Sequence, residues 1–251
     1  MSDSDDLRRA YEFLARGDMA GARTERTRLG TAVYDDRVPK RYDSNYLLVD
    51  RLAPTTTAGE LVADAADHDR RMIFFRDEAA AALAPRFEAL GWRIDRHVFM
   101  AQRDAATRGA PADCAEELEL DALRPARRRL MAEYPWATPE LMDVLHEAKR
   151  LIGERVETHF FGVVVDGEVV SYADLYLEPP TAQIEDVGTL EEHRGKGYAS
   201  AVVLRAADEA RRGGADLVFL VADAQDWPQQ LYRRLGFEPI GHYWKFIAPG
   251  V

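Results

Sequence analysis

An α/β fold is what this 251-residue chain predicts, and three stretches carry the prediction. Residues 184–212 pass from an apolar, β-type segment (Ile184, Val187, Leu190) through the glycine turn Arg194-Gly195-Lys196-Gly197 into apolar positions at helical spacing. Residues 159–177 hold two apolar runs joined by Asp166-Gly167, a strong two-residue hairpin signal. Residues 45–102 alternate short strand-type and helix-type runs.

Taken in order, Leu7, Tyr11, Phe13 and Leu14 form an apolar stripe that predicts a helix interrupted at Gly17. Asp18 is placed to cap a second helix from Met19 to Leu29. Asn45–Asp50 predicts a strand, Ala58–Asp67 a helix, Arg71–Phe75 a buried strand, Ala79–Leu90 a helix closed by Gly91, and Trp92–Gln102 a strand. Residues 103–116 are small and polar, with Gly109 and Pro111, and read as a linker. Cys114 within it has no basic cluster or histidine beside it to activate the thiol.

Beyond the linker, Glu117–Leu120 predicts a short strand and Pro125–Tyr134 and Pro139–Leu151 predict helices, with Leu130/Met131 and Leu141/Val144/Leu145 as their apolar positions. Thr138 suits the N-cap, with Pro139 in the first helical position. The hairpin follows, then the strand at Ile184 and a helix over Tyr198–Arg212 ended by Gly213-Gly214. A buried strand (Leu217–Val221), a helix (Trp227–Leu235) and a strand (Phe237–Ile247) complete the chain.

Composition narrows the function classes. The apolar fraction of 47% suits a globular protein, and no apolar run is long enough to span a bilayer. The first twenty residues are acidic and then amphipathic, unlike a signal peptide, so a cytoplasmic location is expected. One cysteine excludes an internal disulfide. The six histidines show no paired spacing, so no metal site is expected, and no Gly-x-Ser-x-Gly elbow marks a serine hydrolase. A formal charge of −11 argues against nucleic-acid binding and fits a cationic substrate such as an amine.

A strand, a glycine turn and a helix start make an anion site, because the first helical N–H groups lack intrahelical acceptors and the macrodipole adds positive charge there. Gly195 and Gly197 let a ligand approach the backbone, Arg194 and Lys196 add charge, and a pyrophosphate is the natural guest. Arg194-x-x-Gly197-x-Ala199 after a strand resembles the acyl-CoA loop of the GNAT family of N-acetyltransferases. Leu231-Tyr232-Arg233-Arg234-Leu235-Gly236-Phe237 looks like that family's second signature, and the resemblance runs over residues 117–247.

The resemblance implies an α/β (α+β) GNAT fold, a mixed and mostly antiparallel sheet flanked by helices, and acetyl-CoA as cosubstrate. It implies that the backbone of Gly195, Lys196, Gly197, Tyr198, Ala199 and Ser200 holds the pyrophosphate. Val187, Gly188 and Thr189 would bond the pantetheine arm, with a main-chain N–H near Thr189 for the oxyanion. Tyr232 matches the general acid beside the CoA sulfur. Gln225 stands where the family often has a cofactor-binding asparagine, a departure that weakens that contact. Glu185 shares strand parity with Val187 and Thr189 and is the candidate general base, while alternation turns Asp186 the other way. His193 occupies a position often aromatic in the family, which suggests packing. The helices at 125–151 border the acceptor pocket in the family, which puts Tyr134, Trp136 and Glu147 near substrate.

A repeat with a 145-residue offset links Met72-Ile-Phe-Phe75 to Leu217-Val-Phe-Leu220, Leu90-Gly91-Trp92 to Leu235-Gly236-Phe237, and His97 to His242. The earlier copy lacks the glycine loop, having Leu52-Ala-Pro-Thr-Thr-Thr57, and has Phe87 opposite Tyr232. The expected layout is a degenerate GNAT-like half-domain at 1–103, a linker at 104–116 and a catalytic domain at 117–251. The expected activity is acetyl transfer to the primary amine of a small molecule by direct attack in a ternary complex. The alternatives are a non-catalytic acyl-CoA sensor or interaction module, and an acetyltransferase acting on a hydroxyl or a protein N-terminus. A homodimer through exposed final strands is a family habit that carries over as an expectation.

Overall fold

In a computed structural model, residues 3–19, 22–39, 42–76, 78–103, 114–134 and 137–250 are described. The first stretch of chain forms α1 (Asp3–Met19), β1 (Arg23–Arg26), β2 (Thr31–Tyr34), β3 (Leu47–Val49), α2 (Ala58–Asp67), β4 (Met72–Phe75), α3 (Ala84–Ala89) and β5 (Arg93–Gln102). The second forms β6 (Ala115–Leu118), α4 (Leu120–Met131), α5 (Pro139–Gly153), β7 (Glu157–Val165), β8 (Glu168–Glu178), β9 (Thr181–Thr189), α6 (Tyr198–Arg212), β10 (Leu217–Asp223), α7 (Pro228–Arg234) and β11 (Phe237–Ile247). They make two compact units, one of Met1–Phe13, Met100–Val221 and Trp227–Ile240, the other of Leu14–Phe99, Ala222–Asp226 and Gly241–Val251. Each unit takes residues from both sides of the expected linker, because β5 and β11 each begin in one and end in the other. Most of that linker, 104–113, lies outside the described residues.

In the first unit the strand order is β10-β9-β8-β7-β6, parallel only between β10 and β9. The β7–β8 turn has Asp166 and Gly167 at φ 51° and 83°, the left-handed pair that such a two-residue turn requires. Tyr172 faces Leu130 of α4 across the backbone of Gly188, whereas Leu177, of opposite parity on β8, meets the end of α6 at Gly213. Helices α4 and α6 therefore cover opposite faces of this sheet. The face of α6 turned inward is built of small and branched residues (Ala201, Val202, Val203, Ala206, Ala210), which lets the helix lie close on the strands. Phe13 of α1 packs edge-on against Phe219, with 5.6 Å between ring centroids.

In the second unit the order is β1-β2-β3-β4-β11-β5. Strands β3 and β4 are parallel, with α2 as their crossover helix, and β4 is antiparallel to β11 through Trp244↔Phe75 and Phe246↔Ile73. Leu47, Leu61, Ile73, Phe75, Phe87 and Phe246 form its fully buried core.

Several expected elements change. No second helix follows α1, which runs unbroken through Gly17 and Asp18; residues 23–34 are instead the β1–β2 hairpin. The reason is tertiary. Asp64 of α2, buried, accepts from Thr27 Oγ1 at 2.7 Å and from the N–H of Leu29 at 3.0 Å, which pins the turn. The helix expected at 79–90 divides into a 3-10 turn (Glu78–Ala82) and α3. In α5 the fully buried positions are Met142, His146 and Ala148, one step round from the stripe expected at Leu141, Val144 and Leu145.

Candidate active site

The ladder between β9 and β10 runs from Thr181↔Leu217 to Ile184↔Leu220 and stops, while β9 continues to Thr189. On that side Glu185–Thr189 extend beyond their partner, all half-buried. On the other side β9 remains paired with β8, but irregularly: Tyr172 faces Gly188 and Asp174 faces Glu185, so Asp186 and Val187 together oppose Ala173. This is a β-bulge, and Asp186 sits in it at φ 53°, in the left-handed region.

The bulge corrects the parity reading. Glu185 and Gly188, opposite Asp174 and Tyr172, share the α4 face, so Glu185 does not alternate regularly with Val187 and Thr189. Asp186 does not turn away either. Its carboxylate lies on the helix side, 3.0 Å from Arg127 Nε of α4 and 3.1 Å from Lys149 Nζ of α5. A side chain at 188 would force its neighbours to shift, because a Cβ there would lie 2.5 Å from Tyr172 Cζ and 2.8 Å from Leu130 Cδ1.

After β9, Leu190 donates its N–H to Val170 and a 3-10 turn (Glu191–His193) leads into the glycine loop. Gly195 and Gly197 take φ of 75° and 85°, and Gly197 is the N-cap of α6 with no side chain closing the helix end. Arg194 and Lys196 are exposed, Arg194 donating from Nε to the carbonyl of Thr189 at 3.3 Å. Tyr198, Ala199 and Ser200 form the half-buried first turn of α6. The corresponding helix start in the second unit is closed. Thr57 Oγ1 accepts from the N–H of Glu60, and Glu60 accepts in return from the N–H of Thr57 at 2.9 Å, a capping box that occupies two of the donors at this helix start.

Tyr232 is buried on α7, its ring edge-on to Phe237 at 6.2 Å. Burial pushes its phenol up to about 12, so it is held protonated at neutral pH and can donate. The matching pair in the second unit, Phe87 and Trp92, has the same edge-on arrangement at 5.1 Å without a hydroxyl. Gln225 lies in Ala222–Asp226, a segment of the second unit, with its N–H donated to Asp223 Oδ1 at 2.7 Å. His193 is half-buried beside Tyr198, ring centroids 6.4 Å apart. Tyr134 is exposed, Glu147 is exposed and pairs with Arg150 at 3.4 Å, and Trp136 lies outside the described residues.

A buried charge cluster escaped the sequence reading. Asp174, fully buried on β8, accepts from Arg127 and, at 2.7 Å, from Lys149 Nζ, with Tyr176 OH 3.5 Å from the same carboxylate. Burial works against the Lys149 ammonium, but the carboxylates of Asp174 and Asp186 outweigh it and hold its pKa well above the usual lysine range. Burial also raises the phenols of Tyr172 and Tyr176. The signal was present: Arg127 shares helical spacing with Leu120, Leu123 and Leu130, Lys149 with Met142 and His146, and Asp174 interrupts the apolar run of β8. Among the described residues no group of three or more His, Cys, Asp and Glu side chains could hold a metal, and no helix is long and apolar enough to cross a membrane.

Residues 123–237 match the acetyltransferase (GNAT) family. Among solved structures, a GCN5-related N-acetyltransferase from Kribbella flavida aligns with a TM-score of 0.66 at 20% identity, covering 97% of this chain and 95% of that one. A functionally unknown conserved protein from Staphylococcus epidermidis aligns with a TM-score of 0.68 at 14% identity, over 92% and 95% of the two chains. A tandem GNAT protein from the clavulanic acid biosynthesis pathway aligns with a TM-score of 0.55 at 19% identity, over 86% and 77%. No curated protein matches. Residues 123–237 thus resemble the GNAT acetyltransferases, and the chain shares the fold of the solved structures aligned with it.

Proposed function

We propose that the protein is an acetyl-CoA-dependent N-acetyltransferase that acetylates the primary amine of a small molecule by direct attack in a ternary complex. One observation carries the reading: β9 parts from β10 after Ile184, and the open edge leads within one short loop to a helix start that no side chain caps. An open strand edge offers backbone donors and acceptors to an amide-bearing arm, and an uncapped helix start offers N–H groups to a pyrophosphate. Acetyl-CoA is the common ligand with both parts.

In this reading the backbone from Gly195 to Ser200 binds the pyrophosphate, with Arg194 and Lys196 at the rim, and Val187–Thr189 bond the pantetheine arm. The amine nitrogen attacks the thioester carbon, and the oxyanion that forms is met by a main-chain N–H near Thr189. Glu185 takes the ammonium proton through a water, which frees the attacking lone pair. As the carbon–sulfur bond breaks, Tyr232, held protonated by burial, gives its proton to the thiolate. The second unit is read as a degenerate copy that binds no CoA, because the Thr57–Glu60 box occupies its helix start and Phe87 replaces the tyrosine.

Titration calorimetry with acetyl-CoA, run beside Gly197→Trp, tests the proposal. Micromolar binding by the native chain, lost in the variant, is the expected result. A folded native protein that binds no acetyl-CoA overturns the reading, and one that binds without turnover over an amine panel favours a sensor.

A further inference from the structure

The Asp186 bulge is held in place by charges that the reaction itself does not use. A non-glycine residue in the left-handed region is uncommon, Asp and Asn entering it most readily, and such conformations persist where surrounding contacts over-determine them. Asp186 is held from two helices at once, by Arg127 Nε at 3.0 Å and Lys149 Nζ at 3.1 Å. Those cations are themselves anchored from β8, since both also bind Asp174, whose side chain is 0% exposed against 34% for Asp186. Arg127 is further restrained by aromatic rings, its guanidinium carbon 5.6 Å from the Phe160 centroid and 5.2 Å from that of Tyr172. Tyr172 is the ring against which Gly188 lies, two residues beyond Asp186. Anchor, cations and bulge thus form one connected assembly.

Buried ion pairs add little net stability, because desolvation offsets their attraction, and specifying one arrangement is their better-attested use. Here the arrangement is the bulge. If Asp186 were released, β9 could relax toward regular pairing, and a one-residue slip would reverse the direction of each following side chain and peptide group. We propose that Arg127 and Lys149 are positioning residues, which through Asp186 hold the β9 bulge and so set the Val187–Thr189 backbone edge for the thioester arm of the cosubstrate. The inference rests on the acetyl-CoA reading above and assigns α4 and α5 a part in cofactor alignment in addition to bordering the acceptor.

The test separates the two ends of the cosubstrate. Titration calorimetry is run with acetyl-CoA and with 3′-phosphoadenosine 5′-diphosphate, which has the pyrophosphate but no pantetheine arm. The proteins are the native chain, Asp186→Asn, Lys149→Met and Lys149→Arg. Asparagine tolerates positive φ, so Asp186→Asn removes the charge and leaves the backbone able to take its conformation. The expected result is acetyl-CoA affinity about tenfold weaker or worse in Asp186→Asn and Lys149→Met, partial recovery in Lys149→Arg, and nucleotide affinity within about twofold of native throughout. Should Lys149→Met not fold, Asp186→Asn decides the matter. Native affinity for both probes in Asp186→Asn overturns the inference and leaves the acetyltransferase reading standing; so does an equal loss on both probes, which marks a merely structural role. A native chain that binds neither probe overturns the acetyltransferase reading and this inference with it.

Discussion

Tyr232 and Phe87 stand at matching places in the two units, each buried and each edge-on to an aromatic at or just before the start of the next strand, Phe237 and Trp92. One hydroxyl separates them, so Tyr232→Phe removes an oxygen from a packing arrangement that Phe87 already exemplifies. Acetyl-CoA affinity is expected to hold while kcat falls by about 10²–10⁴, the usual contribution of a positioned general acid. Unchanged kcat would show that the phenol donates no proton. At Gly188 the expected effect is steric. Alanine would drive its Cβ into the Tyr172 ring and Leu130, and thermal or urea denaturation should show a loss of about 1–3 kcal/mol. Native stability in Gly188→Ala would mean that the bulge yields readily. The role proposed for Tyr232 came from a motif, whereas the crowding at Gly188 was invisible in the chain, because the ring that a side chain would meet belongs to another strand.

At the scale of elements, the two crossover helices differ in how they begin. Helix α2 closes itself with Thr57 and Glu60, so Thr57→Ala should cost about 1 kcal/mol of stability, read from a urea midpoint shift at constant slope. No change would mean that the box contributes nothing to stability. Both helices were legible from spacing and both starts from their residues, since capping is a local property of four or five consecutive positions. The β1–β2 hairpin was not legible. Its first strand is polar on both faces, all four residues of β1 being exposed, and the contact that sets the turn comes from Asp64, far along the chain. The bulge in β9 was equally hidden. Alternation is the default for a strand, and what breaks it here is a pair of cations on two helices.

For the whole molecule, the pH dependence of stability follows from groups buried in one protonation state. Burial, assisted by the Lys245 charge, lowers His97 to about 3 from the ordinary value of 6.5, with its ring stacked on Tyr243. The unfolded chain therefore binds a proton that the folded one refuses, and stability is lost as pH falls through about 6.5, by up to a few kcal/mol at pH 4. His97→Phe should keep the stack and flatten that acid limb in urea titrations between about pH 7 and 4. An unchanged limb would assign acid sensitivity elsewhere. His159 acts in the opposite sense: burial disfavours its charge, but Glu117 and Glu157 outweigh it and raise its pKa, so its contribution is present in acid and lost as pH rises through the folded value. On the alkaline side Lys149, Tyr172, Tyr176 and Tyr232 are all raised, so the folded chain keeps protons that the unfolded chain releases. Stability should fall above about pH 10, which circular dichroism at fixed urea can follow; a flat profile there would contradict the burial of these groups.

The chain by itself determined the α/β class, the hairpin turn at Asp166-Gly167, the glycine loop before α6 and the family resemblance to which they point. Each of these depends on residues close together in sequence, where turn geometry, capping and periodicity act directly. Only the tertiary structure decided where β9 parts from β10, that Asp186 lies in a bulge facing the helices, and that Arg127, Lys149 and Asp174 form one buried cluster. It also decided that the two units draw on both ends of the chain. These depend on pairing between segments tens of residues apart, and a single sequence records the groups that will meet without recording which strand or helix brings them together.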